Sequence, residues 1–207
     1  MMEAIKNYLS YAGIQYRHPD KAGDEREKML ALRHKGQEAR KAFTNLAKAF
    51  QEKHPEWQLQ QTSQWMNQAQ RLRPHFWVYL QREGKVSEPM MSLRLYGTPA
   101  DFGISLEVSF IERKKDEQTL DKQAKVLDLP VVEGIYYLVY SNGESHKVEA
   151  TEENRRTLRE KMRSQEVRKV LVKSDVSFIA NQSVEAILEK LEDAFTRLLP
   201  YYEVTRG

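Results

Sequence analysis

The chain has no cysteine and no long apolar run, and both absences narrow what the protein can be. Without Cys among its 207 residues, it cannot form disulfides, use thiolate catalysis or bind zinc through sulfur. No window approaches the roughly 20 apolar residues that a membrane span requires. The opening MMEAIKNYLSYAG also lacks the basic and then apolar pattern of a signal peptide. We therefore expect a cytoplasmic protein with no membrane partner.

Several familiar catalytic motifs are absent as well. No Gly-rich loop follows a predicted strand, which argues against a P-loop NTPase or a dinucleotide-binding domain, and there is no Gly-x-Ser-x-Gly elbow. The five His residues show no zinc-type spacing. The chain also has no large excess of either charge, because its 33 Lys and Arg nearly balance its 30 Asp and Glu. The net charge of +3 permits an anionic partner without requiring one.

The pattern that is present predicts one α+β domain. Apolar residues at helical spacing within residues 1–53 indicate an N-terminal helical part. Alternating apolar residues then predict strands, so that residues 74–207 should form a sheet with packed helices. We expect a single domain over residues 1–207, with a mixed or antiparallel sheet of about five to seven strands. Its helices should lie at the N-terminus, in the middle and at the C-terminus.

Local signals set the boundaries of several of these elements. The GTPADFG connection predicts that the strands on either side of it pair as an antiparallel hairpin. Asn142-Gly143 predicts a second hairpin with a type I′ turn. Thr151 is a good N-cap for a middle helix ending near Arg163, and Pro200 is predicted to end the C-terminal helix.

The stretch LEVSFIERKK, residues 106–115, carries the most specific hypothesis. Glu112 and Lys114 follow a predicted strand and share the parity of its apolar residues, so they continue its buried face. With the order helix, three strands, helix and strand, residues 40–141 resemble the core of the PD-(D/E)XK, or restriction-endonuclease-like, superfamily. The alternative is that this segment is a solvated strand end followed by the start of a helix.

The resemblance implies a Mg²⁺-dependent nuclease. In that family carboxylates bind Mg²⁺ and the Lys helps to position the attacking water, which would make Glu112 and Lys114 the catalytic pair. Glu112 would share the metal with either Asp101 or Glu88. Gln123, on the helix that follows, matches a glutamine sometimes found in such nucleases.

A second resemblance rests on element order. A leading helix, strands containing the segment PHFW (residues 74–77), and a closing helix with a Tyr-rich end are similar to the N-terminal modified-DNA-binding domain of McrB-type restriction proteins. The resemblance implies a protein that reads DNA by flipping a base into an aromatic pocket.

Two basic segments support binding of nucleic acid. The first interleaves basic and aromatic residues, as surfaces that contact phosphates and stack bases do; its residues are Arg71, Arg73 and Trp77. The second is the most basic stretch of the chain and could track a phosphate backbone; its residues are Arg155, Arg156, Arg159, Arg163 and Lys169. We therefore predict a non-catalytic binding protein with DNA or RNA as its partner. The alternative functions are the nuclease and a protein–protein interaction module. For the two basic segments themselves, the alternative is that they are covered by other parts of the chain or are ordinary solvated surface.

Overall fold

The chain folds into five α-helices and a seven-stranded sheet, as seen in a computed structural model that describes residues 1–84, 88–110, 117–179 and 182–206. The predicted α+β class is confirmed. Helices α1 to α5 span Met2–Leu9, Arg26–Gln51, Glu117–Ala124, Glu152–Arg163 and Val184–Arg206. Strands β1 to β7 span Gln58–Leu59, Trp77–Gln81, Met90–Thr98, Asp101–Ser109, Tyr136–Ser141, Glu144–Glu149 and Lys169–Ser177. No helix in these ranges is both long enough and apolar enough to cross a membrane.

The sheet is antiparallel throughout, in the order β1-β2-β3-β4-β7-β5-β6. The predicted hairpin on either side of GTPADFG is β3–β4, in which Leu93 lies opposite Leu106. β7 comes late in the chain but inserts between β4 and β5. This insertion joins the β5–β6 hairpin to the rest of the sheet.

The described helices pack on one face of the sheet. Phe43 of α2 meets Phe76 just before β2, with ring centroids 5.9 Å apart, and α5 packs across β4 and β7. Alternate strand residues such as Leu106 and Val172 join the helices in one apolar core. Leu171 points the other way because neighbouring strand residues face opposite sides, and it lies outside this core. No helix of the described ranges covers that second side of the sheet, which we call the open face.

The local predictions for the middle of the chain are confirmed. Asn142 and Gly143 have φ values of 52° and 81°, as a type I′ turn requires. The Thr151 hydroxyl accepts a hydrogen bond of 3.1 Å from the N–H of Asn154 and caps α4.

The prediction that Pro200 ends the last helix is wrong, because α5 continues to Arg206. A proline inside a helix loses one backbone hydrogen bond and crowds the preceding turn. Here the next two residues compensate through tertiary packing. Tyr201 and Tyr202 are both buried in the core, and the Tyr201 hydroxyl donates to the carbonyl of Pro130 at 2.7 Å.

Candidate functional site

The open face brings together polar and aromatic residues from strands that are far apart in sequence. The strand register places two rows of side chains across it. The first row, from β2 to β5, is Tyr79, Ser92, Glu107, Lys173 and Tyr136. The second row, from β2 to β7, is Trp77, Arg94, Ser105 and Asp175.

At the centre of the open face lies an ion cluster of Arg94, Glu107 and Lys173, here called the Arg–Glu–Lys cluster. Arg94 donates from Nε and Nη2 to Glu107 Oε1 at 3.1 and 3.0 Å, and Lys173 Nζ lies 3.0 Å from Oε2. Burial alone would raise the pKa of Glu107, but the charges of Lys173 and Arg94 outweigh it and hold the pKa below its usual range. The cluster is therefore ionised and carries a net charge of +1.

The depth of this cluster distinguishes the open face from an ordinary solvated sheet surface. Antiparallel sheets commonly expose one polar face to water, whereas Lys and Glu are almost never fully buried unless they are paired. Glu107 is only 1% exposed, and Lys173 is also buried. Tyr79 and Tyr136, which flank them in the same row, are half-buried. The face thus has a buried ionic centre with aromatic residues at its sides.

On the β2 side, Trp77 is surrounded by nitrogen-bearing side chains. The guanidinium carbons of Arg73 and Arg94 lie 4.8 and 5.2 Å from the centroid of its ring, a cation–π arrangement. The His75 ring lies 5.7 Å away. Burial, followed by the positive charges of Arg94 and Arg73, lowers the pKa of His75 to about 4, so this imidazole is neutral near pH 7.

On the β5 side, Tyr136 links two charged residues. Its hydroxyl donates to Asp175 Oδ1 at 2.9 Å, and Lys147 Nζ lies 3.8 Å from the centroid of its ring. Burial raises the pKa of Tyr136, so its hydroxyl stays protonated. A cleft of about 470 Å³ opens beside these three residues at this end of the sheet.

The residues predicted to bind nucleic acid divide between two surfaces. Arg73 and Trp77 lie on the open face, and so does Lys169, whose Nζ is 5.4 Å from the centroid of the Tyr140 ring. Arg71, two residues before Arg73 in the chain, is exposed, and its Nη1 donates to the carbonyl of Gly13 at 3.2 Å.

The four predicted arginines of α4 lie in the helix layer, on the other side of the sheet. Arg155 Nη1 donates to the carbonyl of Leu127 at 2.8 Å, and Arg159 pairs with Asp128 at 3.3 Å. These two side chains tie α4 to its neighbours. Arg156 is exposed, and so is Arg163, so these two can reach a ligand in solution but not one on the open face.

The residues of the nuclease hypothesis are not gathered into a site within the described ranges. Glu112 and Lys114 lie outside those ranges. Asp101 is exposed at the start of β4, and Glu88 lies near the other end, 3.8 Å from Arg206. The eight residue steps of β4 separate its two ends by roughly 26 Å, so only one of these two carboxylates could join Glu112 at a metal ion. No group of three or more His, Asp or Glu in the described part of the chain could hold one.

Gln123, the glutamine that matched the nuclease pattern, is a buried residue. Its side-chain amide donates to the carbonyl of Val108 in β4 at 3.3 Å. This contact fastens α3 to the sheet.

Sequence reasoning missed the centre of the open face. Glu107, Arg94 and Lys173 were not among the site residues predicted from the sequence. One signal was available for two of them: Arg94 and Glu107 are charged side chains whose nearest neighbours on the same side of their strands are uncharged. Opposite charges at the centres of strands are favourable when they lie directly across from each other.

Neither a scan against protein-family models nor a search of curated proteins finds a match for this chain. The two family resemblances therefore gain no support from these comparisons, and function has to be argued from the site itself.

Proposed function

We propose that this protein is a non-catalytic binding module that holds a single-stranded nucleic acid on the open face of its sheet. The observation that carries the proposal is the gathering of aromatic and positively charged side chains on a face that no described helix covers. Proteins that bind single strands combine a positively charged surface for the backbone with aromatic rings on which bases stack.

The cationic side chains of the open face can contact an anionic ligand. Cationic and acidic side chains on this side of the strands are nearly balanced, with Arg73, Arg94, Lys147, Lys169 and Lys173 against Glu107, Asp175, Glu149 and Asp101. The five cations and four carboxylates leave a local excess of one positive charge. When such side chains neutralise the phosphates of a nucleic acid, counterions are released. The affinity of the protein for the nucleic acid then falls as salt is added.

The aromatic residues of the face support a single strand over a duplex. Trp77, Tyr79, Tyr136 and Tyr140 are all half-buried, so part of each ring reaches solvent. Bases inside a duplex are stacked on one another, whereas unpaired bases can stack on aromatic side chains. The same rings would offer a duplex no comparable contact.

The native tryptophans provide a direct assay. Trp57 and Trp65 are buried in the core, whereas Trp77 lies half-buried on the open face. Titration with a single-stranded oligonucleotide should therefore quench the fluorescence of Trp77 selectively, and a Trp77→Phe variant should show little quenching. The dissociation constant should rise with added salt. Absence of binding to both single-stranded DNA and RNA at low salt would refute the proposal.

Two variants with the same change of charge locate the binding surface. Lys147→Glu alters an exposed side chain at the edge of the open face, and Arg163→Glu alters an exposed one on α4. We expect Lys147→Glu to weaken binding about fivefold or more, since an exposed ion pair contributes up to about 1 kcal/mol and here becomes a repulsion. Arg163→Glu should have a smaller effect. The reverse order would move the interface to α4.

Incubation of the same oligonucleotides with Mg²⁺ tests the nuclease hypothesis. Cleavage that disappears in Glu112→Ala would show that the protein is catalytic. We expect a binding module to leave the oligonucleotides intact and to bind them equally well after Glu112→Ala.

A further inference from the structure

We propose that the centre of the open face is a subsite for a neutral hydrogen-bond donor of the bound strand, either a ribose 2′-hydroxyl or an amino group of a base. This inference rests on the proposed function and adds a selectivity to it. It follows from two buried hydroxyls and from the chemistry of the carboxylate between them.

Ser92 and Ser109 are 0% and 5% exposed, and neither Oγ has a hydrogen-bond partner in the described structure. Ser92 lies directly across from Glu107 in the β3–β4 pair, and Ser109 lies two residues further along β4 on the same face. Nearly all buried polar groups in proteins are hydrogen-bonded. Two unpartnered hydroxyls beside one carboxylate therefore leave hydrogen-bonding capacity that a group from outside the chain can use.

The carboxylate decides what kind of group fits. An ionised carboxylate only accepts hydrogen bonds, and it has about four positions for donors. Arg94 occupies two of them at Oε1. Oε2 forms an ion pair with Lys173 at 3.0 Å but has no hydrogen-bond partner in the described structure, so acceptor capacity of Glu107 stays available at Oε2. A phosphate placed there would be repelled by Glu107, whereas a neutral O–H or N–H group would be attracted.

The remaining hydrogen-bond capacity of the centre suits the same kind of group. A serine hydroxyl can both donate and accept, so Ser92 and Ser109 can bond to the oxygen of a ribose hydroxyl or to the hydrogens of an amino group. The phosphates of the strand would then lie over the cations around the centre rather than over Glu107.

Arg94 is the member of the cluster that can make room for a ligand. Its side chain is 26% exposed, compared with 7% for Lys173 and 2% for Glu107. A phosphate near Trp77 would attract the Arg94 guanidinium, while Lys173 would keep the charge of Glu107 compensated. Movement of Arg94 alone therefore frees Oε1 of Glu107 without leaving an isolated buried charge.

The experiment compares oligonucleotides that differ in one donor. Binding is measured for RNA and DNA of the same sequence, which differ mainly in the 2′-hydroxyl, and for strands in which inosine replaces guanine, which removes the 2-amino group. We expect the wild type to prefer either RNA over DNA or guanine over inosine by about fivefold. The pair that shows the preference identifies the donor.

A double variant, Ser92→Ala with Ser109→Ala, should abolish that preference and keep the salt-dependent binding. These substitutions remove hydroxyls that have no partner among the described residues, so the fold should be retained, which circular dichroism and thermal melting would check. Ser145→Ala, on the exposed strand β6, is the matched control and should keep the preference.

Three outcomes would overturn the inference. Equal binding of all four strands would show that the centre selects no donor of the ligand. A preference that survives in the double variant would show that it arises elsewhere on the protein, and in both cases the proposed function would still stand. Failure of every strand to bind would remove the proposed function and this inference with it.

Discussion

Replacement of Glu107 by Gln tests the description of the Arg–Glu–Lys cluster, because it removes a single charge and almost no volume. Arg94 is partly exposed and can turn towards water, but Lys173 is buried and would be left without a counter-charge. Loss of one partner of a buried ion pair costs about 3–5 kcal/mol. Since Arg94 can relax, we expect a loss of about 3 kcal/mol in the free energy of unfolding at pH 7. For a domain of this size, this corresponds to a fall of roughly 6–12 °C in Tm.

Urea unfolding between pH 7 and pH 3 measures both the loss and its pH dependence. The pKa of Glu107 is lowered in the folded state, so its contribution is complete above the unfolded value of about 4.3. That contribution disappears as the pH falls through the lower, folded pKa. The stability gap between wild type and Glu107→Gln should therefore be constant from pH 7 to about pH 5 and narrow below about pH 4.

Glu144→Gln is the matched control, because Glu144 is exposed in β6 and its substitution should change stability by no more than about 0.5 kcal/mol. A loss of less than about 1 kcal/mol in Glu107→Gln, or a gap that does not narrow in acid, would refute the buried cluster.

Replacement of the whole cluster by apolar residues separates its role in stability from its role in binding. Exchanging a complete buried ion cluster for hydrophobic residues is often neutral or stabilising. A triple variant, Arg94→Met with Glu107→Leu and Lys173→Met, should therefore be more stable than Glu107→Gln alone and yet lose the oligonucleotide. Retention of full binding in this variant would place the ligand elsewhere.

Three further predictions follow from single contacts. In Gly36→Ala the new Cβ would lie 2.6 Å from Cε3 of Trp65, so this helical substitution should lower stability by about 1–3 kcal/mol in a thermal melt; an increase would contradict the packing. Thr151→Ala removes the cap on the Asn154 N–H and should cost about 1 kcal/mol in urea unfolding, whereas Thr151→Ser should cost little. By NMR, His75 should titrate near pH 4. Because the unfolded state then binds more protons than the folded state between about pH 4 and 6.5, stability should fall as the pH is lowered through that range. An NMR midpoint near pH 6.5 would contradict the burial of His75.

Many elements of the fold could be predicted because their signals are local. Alternation of apolar residues marked the strands, since neighbouring side chains of a strand face opposite sides. Asn142-Gly143 and Thr151 marked a turn and a helix start through backbone geometry and a hydrogen bond over a few residues. Pro200 was misjudged for the complementary reason: the packing of Tyr201 and Tyr202 against distant parts of the chain outweighs a local helix-breaking signal.

The candidate site depends on decisions that no local pattern contains. Parity shows that Glu107 and Ser105 share a side of β4, but it does not show which strand lies next to β4 or which side the helices cover. Only the insertion of β7 beside β4 brings Lys173 to Glu107. The amino-acid sequence by itself thus determined the class of the fold and most of its elements through interactions between near neighbours. The tertiary structure alone decided the strand order and which face of the sheet the described helices cover, because both depend on contacts between residues far apart in the chain.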